Sequence, residues 1–333
     1  MTETSPKLER ALSDIQRRWV PDTRLGVFEV RVVDQRLSGL TTNRDAVTAL
    51  RALATDFHLT CEVAVIPAVG TEPDAIVTVA LAPLLRGPRV SEARVSDALH
   101  GERLTVLERN GDWLRVRAGD GYVAWIHAGY VATGTSEWAD DWIGRATLHS
   151  LGAALEVNGE PVRLPHGARV APRREGAIEL ADGRTAQLSG GLLRPEAELR
   201  AEARLVALPE LALRWFGAAP YLWGGRSDWG VDCSGLVQSV YAARGIALPR
   251  DADQQYSAGR DVPRAGWSAD YHAGDLLFFA EERRVSHVAL WAGAGRIVHA
   301  TLSRGGVVSE DLLGDSPRLQ RLREQLVGVR RIT

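Results

Sequence analysis

Apolar residues at Leu8, Leu12, Ile15 and Trp19 recur at helical spacing and predict a helix over 5–19. Over 26–33 the period drops to two. Phe28, Val30 and Val32 form one apolar face and Val27, Glu29, Arg31 and Val33 a mixed one, the pattern of a half-buried strand. Asn43 stands as an N-cap before Ala46, Leu50 and Leu53, which predicts a second helix over 43–54. Residues 62–66 read as a short strand, with Cys61 beside it as a buried small hydrophobe. Residues 1–72 are therefore expected to form a small α/β module.

The stretch 67–74 (PAVGTEPD) has linker composition. Short β-type runs follow at 76–81, 103–107, 113–118 and 122–126, punctuated by Gly-Asp and Asp-Gly pairs that suit hairpins. A second break lies at 133–136. Residues 167–193 then repeat the strand, turn, strand, turn, strand order of 101–131, a repeat of about 60 residues. Two small β-barrels in tandem are expected, over 76–134 and 137–199.

Residues 205–333 change character. A short apolar helix is expected over 208–216, then a Gly- and Asp-rich loop (PYLWGGRSDWGVDCSG), then a helix over 234–244 stopped by Gly245. A strand over 275–280 and a hairpin of 287–292 with 296–300 follow, turning at Gly293 and Gly295. Runs 307–309 and 326–332 finish the sheet. The fold class read from these patterns is α+β.

Composition narrows the function classes. With 333 residues, 45% hydrophobic and 25% charged, the chain reads as a multidomain globular protein. A net charge of -2 gives no basic surplus for nucleic acid. No apolar run reaches the length of a membrane span. The N-terminus lacks a basic region followed by an apolar one, so a cytoplasmic location is expected. The two cysteines, Cys61 and Cys233, make neither a disulfide framework nor a zinc-thiolate site.

The chemistry gathers around Cys233. It stands just before a helix, where the dipole and the first backbone N–H groups favour a thiolate and can hold an oxyanion. A thiol nucleophile needs a base. His287 opens one hairpin strand, and His299, twelve residues on, lies across the hairpin where it could orient the first ring.

The ordered set PYLWGG, DCSG at a helix start, HAGDLLFF, SHVALW and GRIVHAT resembles the NlpC/P60 family of papain-like cysteine peptidases over about 205–333. The two repeats resemble bacterial SH3 (SH3b) domains, which commonly bind cell-wall peptides. The first resemblance implies Cys233 as nucleophile, His287 as general base and His299 as the orienting third residue. It also implies Tyr221 with its hydroxyl beside the nucleophile, Asp232 and Ser234 as substrate contacts, and no metal or organic cofactor. Two departures stand out: His272 replaces a proline before Gly-Asp, expected to be structural only, and Ala252 replaces a serine found in some relatives.

Two SH3b-like units ahead of this domain are similar to the cytoplasmic γ-D-glutamyl-L-diamino acid endopeptidases of murein recycling. That resemblance implies a murein tripeptide or related stem peptide as partner, with a free N-terminal L-Ala whose ammonium needs a carboxylate. Asp232, Glu92 and Tyr122 are the candidates for holding it. No nucleic-acid or membrane partner is implied, and the oligomeric state stays open. The alternatives are an exported murein hydrolase acting on intact wall, a non-catalytic wall-peptide binder, and a related amidase or acyltransferase.

Overall fold

The computed structural model describes residues 5–68, 73–263 and 270–332. Residues 69–72 of the expected linker lie outside the described residues, as do 1–4 of the N-terminal module and residue 333 of the last domain. The chain forms two compact units. One comprises Met1–Ile76, Leu85–Glu92 and Arg103–Asp140; the other comprises Val77–Leu84, Ala93–Glu102 and Asp141–Thr333. No helix among the described residues is long and apolar enough to cross a membrane.

In the first unit, helices Pro6–Trp19 and Arg44–Asp56 pack on a three-stranded sheet. Asn43 caps the second helix, its side-chain oxygen accepting from the Ala46 N–H at 3.0 Å. The core is Leu8, Leu37, Val47, Leu50, Leu53 and Val63. Phe28, Val30 and Val32 pack against it from Phe28–Val33, as their alternation requires. The central strand, Arg36–Thr41, has no counterpart in the sequence reading. It is antiparallel to Phe28–Val33 and parallel to Thr60–Val65, so Arg44–Asp56 is the crossover helix of a βαβ unit. Its Ser38-Gly39 pair breaks the apolar alternation, and the glycine is obligatory. At φ 141°, an added Cβ at Gly39 would lie 1.8 Å from the Glu29 carbonyl oxygen. Cys61, expected to be buried, is half-buried, because Thr60–Val65 is an edge strand of this sheet.

The same unit holds the meander Arg103–Asn110, Trp113–Arg117, Val123–His127. The expected single strand over 76–81 is instead two, Asp74–Val77 and Leu81–Leu85. The first pairs with the start of Arg103–Asn110, where Arg103 donates to Asp74 at 2.5 Å.

In the second unit, five strands between Leu148–Val157 and Thr185–Pro195 form a small barrel closed by pairing of the first with the last. Leu155, Leu164, Val170 and Ile178 fill it. Helices flank it where barrel was expected: Ser136–Arg145 before, and Glu196–Leu205 across the expected boundary at 199. The latter, EAELRAEARL, consists of strong helix formers. Segment 93–102, expected in the first barrel, has hydrogen bonds within this unit. Arg169 N–H donates to the His100 carbonyl at 2.8 Å, Ala181 N–H to His100 Nε2 at 3.0 Å, and the Trp142 indole to the Gly101 carbonyl at 2.9 Å.

The remainder of the unit carries a six-stranded sheet in the order Arg260–Asp261, Leu326–Arg331, Leu276–Glu281, Arg284–Gly293, Arg296–Thr301, Gly306–Asp311. Alternate residues enter two cores. Leu276, Phe278, Val288, Leu290, Val298 and Ala300 meet helices Leu208–Phe216 and Cys233–Ala243. Leu277, Phe279, Ala289, Trp291, Ile297 and Val329 form the other. His272 closes the turn into the sheet. Its N–H donates to Asp275 Oδ2 at 2.8 Å, a bond proline could not make, and Arg331 clamps that carboxylate at 2.7 and 2.6 Å.

Candidate active site

The helix begins one residue earlier than expected, with Cys233 as its first residue and Asp232 as N-cap. Asp232 Oδ1 accepts from the Gly235 N–H at 2.7 Å. Gly235 is fixed by close approach: an added Cβ would lie 2.2 Å from the Gly225 carbonyl oxygen. Asp232 Oδ2 accepts from the Gly224 N–H at 2.8 Å, which ties the Gly-rich loop to the helix start.

Under this turn lies Arg250, 1% exposed. It forks onto Asp232, with Nη1 to Oδ1 at 3.1 Å and Nη2 to Oδ2 at 2.8 Å. Its other bonds go to Ser234 Oγ at 2.9 Å, the Gly225 carbonyl at 3.3 Å and Ser96 Oγ at 3.0 Å. Ser234 Oγ in turn donates to Asp232 Oδ1 at 3.2 Å. Asp232 was expected as a partner for a substrate ammonium. Its charge is already matched by Arg250 and its oxygens accept five hydrogen bonds, more than a carboxylate's four lone-pair sites readily serve. Its bonds fix the turn into the helix that starts at Cys233. Ser234 is buried in the same network.

Tyr221 is held by the segment 220–222. Its N–H donates to the Gly305 carbonyl at 2.8 Å, and Val231 N–H donates to the Pro220 carbonyl at 3.1 Å. Burial raises its phenol pKa, and its side chain packs against the core that includes Cys233.

The expectation of a lowered thiol pKa is reversed. Burial pushes Cys233 up to about 12, and the Asp232 carboxylate adds to this; the Val288 and Ser234 backbone N–H groups and Arg250 oppose it without prevailing. His287 is pushed down to about 3, by burial first and by His299 second. Both effects favour the uncharged thiol and imidazole.

His287 Nε2 lies 2.8 Å from His299 Nδ1, across the two hairpin strands. The Phe279 ring packs against His287 at 5.7 Å between centroids. His299 is 1% exposed, and its Nε2 lies 2.9 Å from Glu310 Oε2. Glu310 also pairs with Arg318, and with Arg304 at 3.6 Å. The His299 hydrogen bond, then Arg318, hold its carboxyl down at about 2 despite partial burial.

Arg250 and Glu310 carry no motif of their own. Glu310 was in principle legible. Once 306–311 pairs with 296–301 so that Ile297 faces Glu310 and His299 faces Val308, Glu310 is a diagonal neighbour of His299 on one face.

The two remaining sequence candidates belong to the first unit. Glu92 is half-buried and accepts from Arg89 Nη2 at 3.0 Å. Tyr122 is buried, its N–H donating to Asp120 Oδ1 at 3.0 Å in the turn before Val123–His127.

A family model described as the NlpC/P60 family matches residues 218–330, which contain Cys233, His287, His299 and Glu310. This segment belongs to the NlpC/P60 family. A model described as the bacterial dipeptidyl-peptidase Sh3 domain matches residues 84–129. The chain is 46% identical over 89 residues to the gamma-D-glutamyl-L-lysine dipeptidyl-peptidase of Bacillus subtilis, covering 26% of this chain and 29% of that protein. It is 28% identical over 230 residues to the protein of the same name from Bacillus cereus, covering 62% and 66%. The chain thus spans less than two thirds of the length of these relatives. The crystal structure of an NlpC/P60 family protein from Bacillus cereus matches with a TM-score of 0.60 at 22% identity, over 78% of this chain and 99% of that one, a likeness of fold.

Proposed function

We propose that this chain is a cysteine endopeptidase that hydrolyses the γ-D-glutamyl–diamino acid bond of peptidoglycan stem peptides carrying a free N-terminal L-Ala. Its place would be in the cytoplasm, in the recycling of murein peptides. The observation that carries the reading is the 2.8 Å contact between His287 Nε2 and His299 Nδ1, in a domain whose nucleophile helix starts at Cys233. The names of the Bacillus relatives support the bond type.

Cys233 gives its proton to His287 and attacks the γ-carbonyl of D-glutamate. The oxyanion falls to the helix start. The Gly235 N–H there is already spent on Asp232, which leaves the Cys233 and Ser234 N–H groups for it. Protonated His287 gives its proton to the departing amine of the diamino acid. Water then hydrolyses the thioester with His287 as base. Tyr221 and Ser234 border the reacting carbonyl. Glu92 and Tyr122 are the candidates for the substrate ammonium.

The substrate test compares L-Ala-γ-D-Glu-diamino acid peptides with and without an acetyl group on the L-Ala amine. The free amine should be needed for efficient cleavage, and Glu92→Gln should weaken that preference. Equal rates on both peptides would point instead to a hydrolase of intact wall.

A further inference from the structure

We infer that Glu310, steadied by Arg318, is a positioning residue that fixes the tautomers of both active-site histidines and so leaves His287 Nδ1 as the base. The inference rests on the proposed cysteine chemistry and extends the site outward by two residues.

Glu310 is a carboxylate at neutral pH and can only accept hydrogen bonds. The nitrogen facing it at 2.9 Å, His299 Nε2, must therefore carry the proton. A neutral imidazole has one N–H, so His299 Nδ1 is a lone pair. That lone pair lies 2.8 Å from His287 Nε2, which must be the donor. The remaining nitrogen of His287, Nδ1, is then unprotonated and able to take the Cys233 proton. Reversing the first bond reverses the rest. With Nδ1–H on His299, His287 Nε2 becomes an acceptor and its own proton sits on Nδ1, where it blocks the base.

Arg318 has a definite part in this. Its guanidinium pairs with Glu310 Oε1, which holds the carboxylate and leaves Oε2 to His299 Nε2. The charged groups facing Glu310 are His299 from Arg296–Thr301, Arg304 from Leu302–Arg304 and Arg318 from Pro317–Glu324. The titratable group bearing on His287 is His299.

The test is long-range nitrogen–proton NMR on protein labelled at histidine nitrogen, together with kinetics on a γ-D-glutamyl tripeptide. In the wild type His299 should show a protonated Nε2 and a bare Nδ1. Glu310→Ala should mix or invert that pattern and lower kcat about 100-fold with KM within about two-fold, since a wrong tautomer in an intact triad costs up to about 10⁴-fold. Glu310→Gln, the same shape without the charge, guards against misfolding and should fall between. Arg318→Met should loosen Glu310 and lower kcat by less than Glu310→Ala does. A wild-type His299 protonated on Nδ1, or Glu310→Ala and Glu310→Gln with wild-type kcat and pH profile, overturns the inference. The NMR result stands whether or not the tripeptide is cleaved, so a wrong substrate and a wrong role for Glu310 are told apart.

Discussion

Replacing Asp232 by asparagine isolates the charge beneath the nucleophile turn. Asparagine is as good an N-cap as aspartate, so the bond from the Gly235 N–H can survive. The new amide must then point its own N–H groups at two donors, the Gly224 N–H and Arg250 Nη2, now 2.8 Å from Oδ2. Arg250 is left with only neutral acceptors: Ser96, Ser234 and the Gly225 carbonyl. A guanidinium cannot shed its proton to escape. Breaking a buried pair in this way costs about 3–5 kcal/mol. Arg250→Met should cost less, because Asp232 keeps two backbone N–H donors and the Ser234 hydroxyl. The double variant Asp232→Asn/Arg250→Met removes both charges and should recover about 2 kcal/mol or more relative to Asp232→Asn alone. Urea denaturation followed by tryptophan fluorescence gives all four stabilities. A cost for Asp232→Asn below about 1 kcal/mol, or a double variant that costs the sum of the singles, would refute the argument.

Three further outcomes follow from the site. On a Cys61→Ser background, alkylation of Cys233 without substrate should rise with pH well beyond the ordinary thiol range, because burial holds the thiol up at about 12; a midpoint below pH 8 contradicts this. Glu310 has its folded pKa lowered from 4.5 to about 2, so its contribution to stability is present above pH 4.5 and is lost as pH falls towards 2. Glu310→Gln should flatten that part of the acid-unfolding curve, and an unchanged curve would remove Glu310 from the balance. Gly235→Ala must move the Gly225 carbonyl from a 2.2 Å overlap and should lower kcat at least about ten-fold, the scale of a small misplacement near a reacting centre; wild-type kcat would show that the loop yields freely.

The candidate site residues were legible because their signals are local. Cys233 begins a helix whose apolar face is plain in the sequence, and His287 and His299 share a hairpin short enough for its register to be guessed. What supports them comes from far along the chain. Arg250 meets Ser96 across 154 residues, a contact no periodicity announces. Segment 93–102, read with the first barrel and contained in the Sh3-domain match over 84–129, also bonds residues far along the chain. There Arg226 bonds the Asp97 carbonyl at 2.8 Å and pairs with Glu102. Arg36–Thr41 was hidden by Ser38 and Gly39, which the close pairing with Glu29 demands and strand propensity disfavours. The thiol pKa went the other way because a helix start is visible in a sequence and burial is not.

The most direct test is mass spectrometry of the purified protein incubated with L-Ala-γ-D-Glu-meso-diaminopimelate, beside the Cys233→Ala variant. Release of L-Ala-D-Glu and free diaminopimelate by the wild type alone is the expected result. Cleavage by Cys233→Ala at the wild-type rate, or an intact peptide with both proteins when ornithine and lysine analogues are also left uncut, would contradict the assignment of this site as a γ-D-glutamyl cysteine peptidase.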